Sequence, residues 1–117
     1  MLLAEGILDL QAEIQAIRRD IHAHPELRFE EVRTADVVAR TLESWGIPAH
    51  RGLGKTGVVG IVKNGTSARA VGLRADMDAL PMTEHNRFEH ASRHPGKMHA
   101  CGPVSYTHLT LPTSDLV

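Results

Sequence analysis

Ile7, Leu10, Ile14, Ile17 and Ile21 recur at spacings of three and four, and Pro25 then stops the pattern. Such spacing lines up one apolar stripe along an α-helix. The charges agree with a helix running in this direction. Glu5, Asp9 and Glu13 lie early and Arg18 and Arg19 late, as the helix dipole favours. Pro25 ends the element because the residue before a proline is pushed out of the α region.

A second helix is expected over residues 30–45, with Ala35, Val38, Leu42 and Trp45 as its buried stripe. Gly46 and Pro48 supply its stop signal. Two amphipathic helices joined by so short a link are expected to pack on one face of a sheet. Residues 56–62 are rich in Val and Ile and read as a strand, followed by the turn signal Asn64-Gly65. Residues 70–75 read as a mostly apolar strand buried on both sides. Charge then appears abruptly through Asp76 and Asp78, and beyond Pro81 periodicity fades into a polar loop carrying histidines. The order helix, helix, strand, strand, loop predicts an α/β architecture without internal repeats. Because aromatic residues make up only 3% of the chain, its core must be aliphatic. At 117 residues there is room for one domain.

A net charge of −1 argues against nucleic acid and against a polybasic membrane surface as partners. No apolar run approaches the roughly 20 residues that cross a bilayer. The start lacks the basic region of a secretory signal and acquires acids early, so no such signal is expected. Cys101 is the only cysteine, which excludes an internal disulfide and points to a reducing, cytoplasmic setting. Asn64-Gly65-Thr66 matches a glycosylation sequon but reads better as a turn.

Three places have the residue types for chemistry. Asp76 and Asp78 stand at the exit of the second strand, and ligands of α/β sheets gather at the carboxyl ends of strands. Two carboxylates at this spacing point the same way in a continuing strand and suit metal binding or the orientation of a ligand. The alternative is a solvated strand end with Asp76 paired to Arg74. His99 and Cys101 share a loop; the thiol reads as a metal ligand, a nucleophile or an inert buried group. His22, His24 and Glu26 surround Pro25. A helix C-terminus welcomes imidazolium, so a structural role is favoured there. His85, His90 and His94 add to the loop without a spacing that demands a site.

Together these strings resemble hippurate hydrolases and related N-acyl-amino-acid amidohydrolases, of the di-metal aminoacylase and carboxypeptidase superfamily. The resemblance lies in RRDIHAHPEL at 18–27 with Glu30, Glu31 and Thr34, in GLRADMDALP at 72–81, and in HASRHPGKMHACG at 90–102. It covers the chain from about Leu8 to Gly102. It implies the N-terminal part of a zinc-peptidase-like α/β/α catalytic domain. It also implies two divalent ions (Zn, Mn, Co or Ni), a small N-acyl amino acid substrate, and a homo-oligomer at full length. In that family a metal-bridging water attacks the amide carbonyl and a glutamate takes its proton. Carried over by position, Cys101 falls on the cysteine ligand and Asp78 on the aspartate that orients the metal centre. Asp76 and His99 fall beside them as site-lining residues.

After Cys101-Gly102 the resemblance breaks. The family continues into His-Asp-Gly-His, whereas here Pro103 stands where the next ligand belongs. Residues 1–102 are therefore expected to be the N-terminal part of an amidohydrolase domain. Residues 103–117 are expected to be a non-family tail, artefactual or disordered, and the chain is expected to be inactive alone. One rival reading is a small metal-binding module built from His85, His90, His94, His99 and Cys101. Another is a non-enzymatic α/β interaction domain.

Overall fold

A computed structural model describes residues 6–101 and the short strand at Leu111–Pro112. The remaining residues of the expected tail lie outside the described ones. Helix α1 runs from Ile7 to Ala23 and α2 from Val32 to Ser44. Four strands follow in chain order: β1 (Ala49–Leu53), β2 (Gly57–Gly60), β3 (Val71–Gly72) and β4 (Leu111–Pro112). The architecture is the expected α/β one.

Helix α1 ends as the sequence predicts. His24 leaves the helical region, its amide still reaches the Ile21 carbonyl at 3.1 Å, and Pro25 is fully buried behind it. Helix α2 ends on Gly46, whose φ of 75° suits a residue without a Cβ. The Gly46 amide bonds the Glu43 carbonyl at 3.0 Å and the Ile47 amide bonds Leu42 at 2.9 Å. These two bonds form a Schellman motif, which satisfies carbonyls that a helix terminus would leave open.

Strands β1 and β2 form an antiparallel hairpin with Ala49 opposite Gly60 and Arg51 opposite Val58. The register slips between Arg51 and Leu53, where Gly52 sits at a φ of 84°. An inserted residue of this kind bends the strand and strengthens its twist. Helix α2 lies against both strands of the hairpin. The packing is close at Gly60, where an added Cβ would meet Leu42 Cδ1 at 3.1 Å and Ile47 Cγ2 at 3.2 Å. Polar ties reinforce it: Arg51 donates to Asp36 at 2.8 Å and the Thr56 hydroxyl to Glu31 at 2.6 Å.

Two expectations need correction. The strand expected over 70–75 shortens to Val71–Gly72, pairs with β4, and is exposed, Val71 at 69% and Leu73 beside it at 75%. Its apolar pattern is that of a doubly covered strand, yet no layer of described residues covers it. Likewise the helices do not share one sheet face. Only α2 packs on the hairpin; α1 leaves Ile7, Leu10 and Ile14 about half exposed. Helix α1 is held by polar contacts instead: Arg33 donates twice to Asp20, at 2.8 and 2.9 Å, and the Trp45 indole donates to Glu13 at 3.2 Å. Besides Pro25, the buried hydrophobic side chains among the described residues are small, namely Ala23, Ala39 and Ala79.

Candidate active site

The turn after Pro25 threads the chain toward the polar loop. Ala79 donates its amide to the Glu26 carbonyl at 2.8 Å, and Leu27 bridges Ala79 in parallel. One residue on, Leu80 and Met98 exchange backbone hydrogen bonds of 2.9 and 3.0 Å. These pairings bring the segment around Asp78 beside the segment that ends in His99 and Cys101.

Between them and the helices lies a cavity of about 620 Å³. Ile14, Ile17 and Ile21 of α1 and Val38 of α2 form its apolar wall. Asp76, Asp78, His99 and Cys101 all line it, so the four residues singled out in the sequence share one cavity. An apolar pocket with a few convergent polar groups is the ordinary form of a small-molecule site.

The four differ in how they are engaged. Asp76 accepts hydrogen bonds from Arg74 Nε at 3.1 Å and Nη2 at 3.0 Å, the pairing that the sequence left open as an alternative. Cys101 is a free and exposed thiol. His99 has its Nε2 buried without a hydrogen-bond partner. A buried ring nitrogen in that condition is costly unless something meets it. Burial and then the nearby His22 ring, 6.3 Å away between centroids, hold His99 below the usual imidazole range, against the opposing pull of Asp78.

The remaining histidines are dispersed. His90 stacks on Phe88 with centroids 4.0 Å apart, and His94 meets His24 edge-on at 6.0 Å. Among the described residues no group of three or more His, Cys, Asp or Glu side chains is arranged to hold a metal ion. The loop module of His85, His90, His94, His99 and Cys101 therefore does not form there. The same holds for a two-metal centre: Cys101 and Asp78 are the right donor types for late transition metals, but they fall short of a complete ligand set.

Two carboxylates that sequence reasoning did not single out as organisers shape the surroundings. Glu26 accepts hydrogen bonds from the amides of Arg33 and Thr34 at the start of α2. Glu84, its side chain 3% exposed, accepts one from His22 Nε2 at 2.9 Å and one from the Ser92 amide at 2.5 Å. Glu26 had a local signal, lying a few residues before a helix start. Glu84 had none, because its principal partner is 62 positions away.

Residues 72–107 match the model of "Peptidase family M20/M25/M40". The chain is 48% identical over 107 residues to a hippurate hydrolase of Campylobacter jejuni, covering 92% of this chain and 28% of that protein. It is 44% identical over 108 residues to an N-acyl-L-amino acid amidohydrolase of Geobacillus stearothermophilus, covering 92% and 29%. Among solved structures it is similar to the Bacillus subtilis YXEP protein, described as a dinuclear metal binding peptidase from the M20 family. The TM-score is 0.77 at 38% identity, over 83% of this chain and 27% of that one. The chain thus spans a little over a quarter of the length of these relatives.

Proposed function

Since this chain belongs to peptidase family M20/M25/M40, we propose that it is part of a metal-dependent amidohydrolase that cleaves N-acyl amino acids of the hippurate type. The observation that carries the reading is the convergence of Asp78, His99 and Cys101 on one cavity. They come from the segments that carry the family motifs. In this reading the amide is cleaved by a metal-activated water. Cys101 is a thiolate ligand and Asp78 orients the metal centre, with Asp76 and His99 lining the site. The apolar wall from α1 and α2 faces the site from its other side.

Two donors do not hold a metal tightly, so the 117 residues alone are proposed to be inactive. Domain organisation follows the same division along the sequence: residues 1–102 belong to the N-terminal part of the catalytic domain, and 103–117 are a non-family tail, of which Leu111–Pro112 pairs with β3. The substrate is a small molecule, and neither nucleic acid nor membrane is a partner. No helix of the described residues is long and apolar enough to cross a membrane. A cytoplasmic location and a homo-oligomeric full-length enzyme complete the proposal.

The test is a chimera in which residues 1–101 replace the matching segment of the Geobacillus stearothermophilus amidohydrolase. Metal-dependent hydrolysis of an N-acyl amino acid by a folded chimera is expected, with loss of activity in Cys101→Ala and Asp78→Ala. Full activity in both variants would overturn the site assignment. Hydrolysis of hippurate by the pure 117-residue chain would overturn its proposed inactivity.

A further inference from the structure

The loop from residue 81 to 98 has almost no regular structure, yet it delivers His99 to the cavity wall. What fixes its path is a sequence of hydrogen bonds that begins at Glu84. The Glu84 carboxylate accepts from His22 Nε2 on the last turn of α1, from the Ser92 amide, and from Asn86 Nδ2 at 3.0 Å. Next to Ser92, the Arg93 amide bonds the Ala23 carbonyl at 2.9 Å, so the same stretch is pinned twice to the end of α1. The Ser92 hydroxyl donates to the carbonyl of Lys97 at 2.7 Å. Lys97 precedes Met98, which is locked to Leu80, and His99 follows.

We propose that Glu84 is a positioning residue: by pinning Ser92 to His22 it fixes the loop that sets His99, with its buried and unpaired Nε2, at the cavity wall. The carboxylate is suited to the task, since charge-assisted hydrogen bonds are roughly twice as strong as neutral ones. Burial pushes its pKa up, but His22, Ser92 and Asn86 more than offset this and hold it down at about 2. Glu84 is thus an anion shared by two segments far apart in sequence. It does not line the cavity, and it acts on the site only through the loop.

This inference rests on the reading of His99 as a site-lining residue, but its test needs no catalysis. The imidazole nitrogen shifts of His99 and the amide exchange of residues 98–101 are measured by NMR on the 117-residue chain at one fixed pH above neutrality. In the parent chain His99 is expected as a single neutral tautomer. Glu84→Ala is expected to return it to the tautomer mixture of a free imidazole. Exchange at 98–101 should then quicken by about tenfold or more, with α2 and the β1–β2 hairpin unchanged. Glu84→Gln retains one acceptor oxygen and is expected to fall between the two. Ser92→Ala keeps the His22–Glu84 contact but cuts the link to Lys97, and should reproduce the His99 change.

An unaltered His99 in Glu84→Ala overturns the proposal, as does loss of protection spread equally over α2 and the hairpin. If Glu84→Ala does not fold, Ser92→Ala decides: a shifted His99 supports the relay and an unshifted one overturns it. A chimera that folds but is inactive, with the His99 signature intact, would sink the proposed function and leave the positioning role standing.

Discussion

The carboxylate of Glu26 accepts both the amide of Thr34, at 2.6 Å, and its hydroxyl, at 2.7 Å. Its second oxygen accepts the Arg33 amide at 3.0 Å. An upstream side chain thereby satisfies two of the open amides of α2, a task that Glu31 at the cap position does not perform with its own side chain. Burial raises the Glu26 pKa, but the Thr34 and Arg33 contacts outweigh it and keep it below the usual carboxylate value. Glu26→Ala is expected to cost about 0.5–2 kcal/mol, the range for losing a helix N-cap. Glu26→Gln should cost less. Urea unfolding of the three proteins checks the order.

Glu84 makes stability depend on acid. Its pKa is about 2 when folded and ordinarily 4.5, so between those values the unfolded chain binds more protons than the folded one. Stability from this group is complete above the ordinary value and is lost as pH falls toward the folded one. Glu26 adds in the same direction. The melting temperature of the parent chain should fall across that window, and Glu84→Gln should flatten the fall while being less stable near neutrality. A parallel slope in the variant would show that other carboxylates dominate.

How much of this was legible in the sequence depends on the range of the interaction concerned. The helices were, because a 3.6-residue period, Pro25 and Gly46 are local signals. Strand β1 was not: Ala49–Leu53 has little strand character of its own and forms by pairing with β2. The apolar run at 70–75 correctly announced a strand but wrongly announced its burial, since hydrophobic pattern records the surroundings a segment suits rather than those present. Asp76, Asp78, His99 and Cys101 were nameable through motif resemblance. That Asp76 is engaged by Arg74, which the sequence left as one of two alternatives, and that His99 has a buried unpaired nitrogen, are decided by the fold. Glu84 was invisible because nothing near it in the chain hints at His22.

The hairpin offers a test of close approach. A Cβ on Gly57 would lie 2.4 Å from the Leu53 carbonyl oxygen, a backbone atom of its register partner. A Cβ on Gly60 would meet side-chain methyls rather than backbone: the Leu42 Cδ atoms at the end of their side chain and Cγ2 of Ile47. Gly57→Ala is therefore expected to lose about 1–3 kcal/mol through forced backbone movement. Gly60→Ala should stay within about 1 kcal/mol, because strand Ala is intrinsically better than Gly by a similar amount. Thermal melts of the two variants separate these cases; equal losses would show that the hairpin shifts freely.

The exposed stripe of α1 predicts how the chain behaves in solution. Leu10 and Ile14 are nearly half exposed, and Leu8 and Val71 more so. Full burial of a Leu or Ile is worth roughly 1.5–3 kcal/mol, so contact between two copies through such surfaces recovers free energy that the isolated chain forgoes. The chain is expected to self-associate as its concentration rises. The double variant Leu10→Glu, Ile14→Glu should shift it toward the monomer, since carboxylates on that stripe repel a second copy and resist desolvation. Neither side chain is fully buried, so the substitution should leave the α2–hairpin unit folded. Light scattering with size-exclusion chromatography reads the mass directly, and far-ultraviolet circular dichroism guards against simple unfolding. A parent chain that remains monomeric throughout would show that α1 covers its stripe within the chain itself.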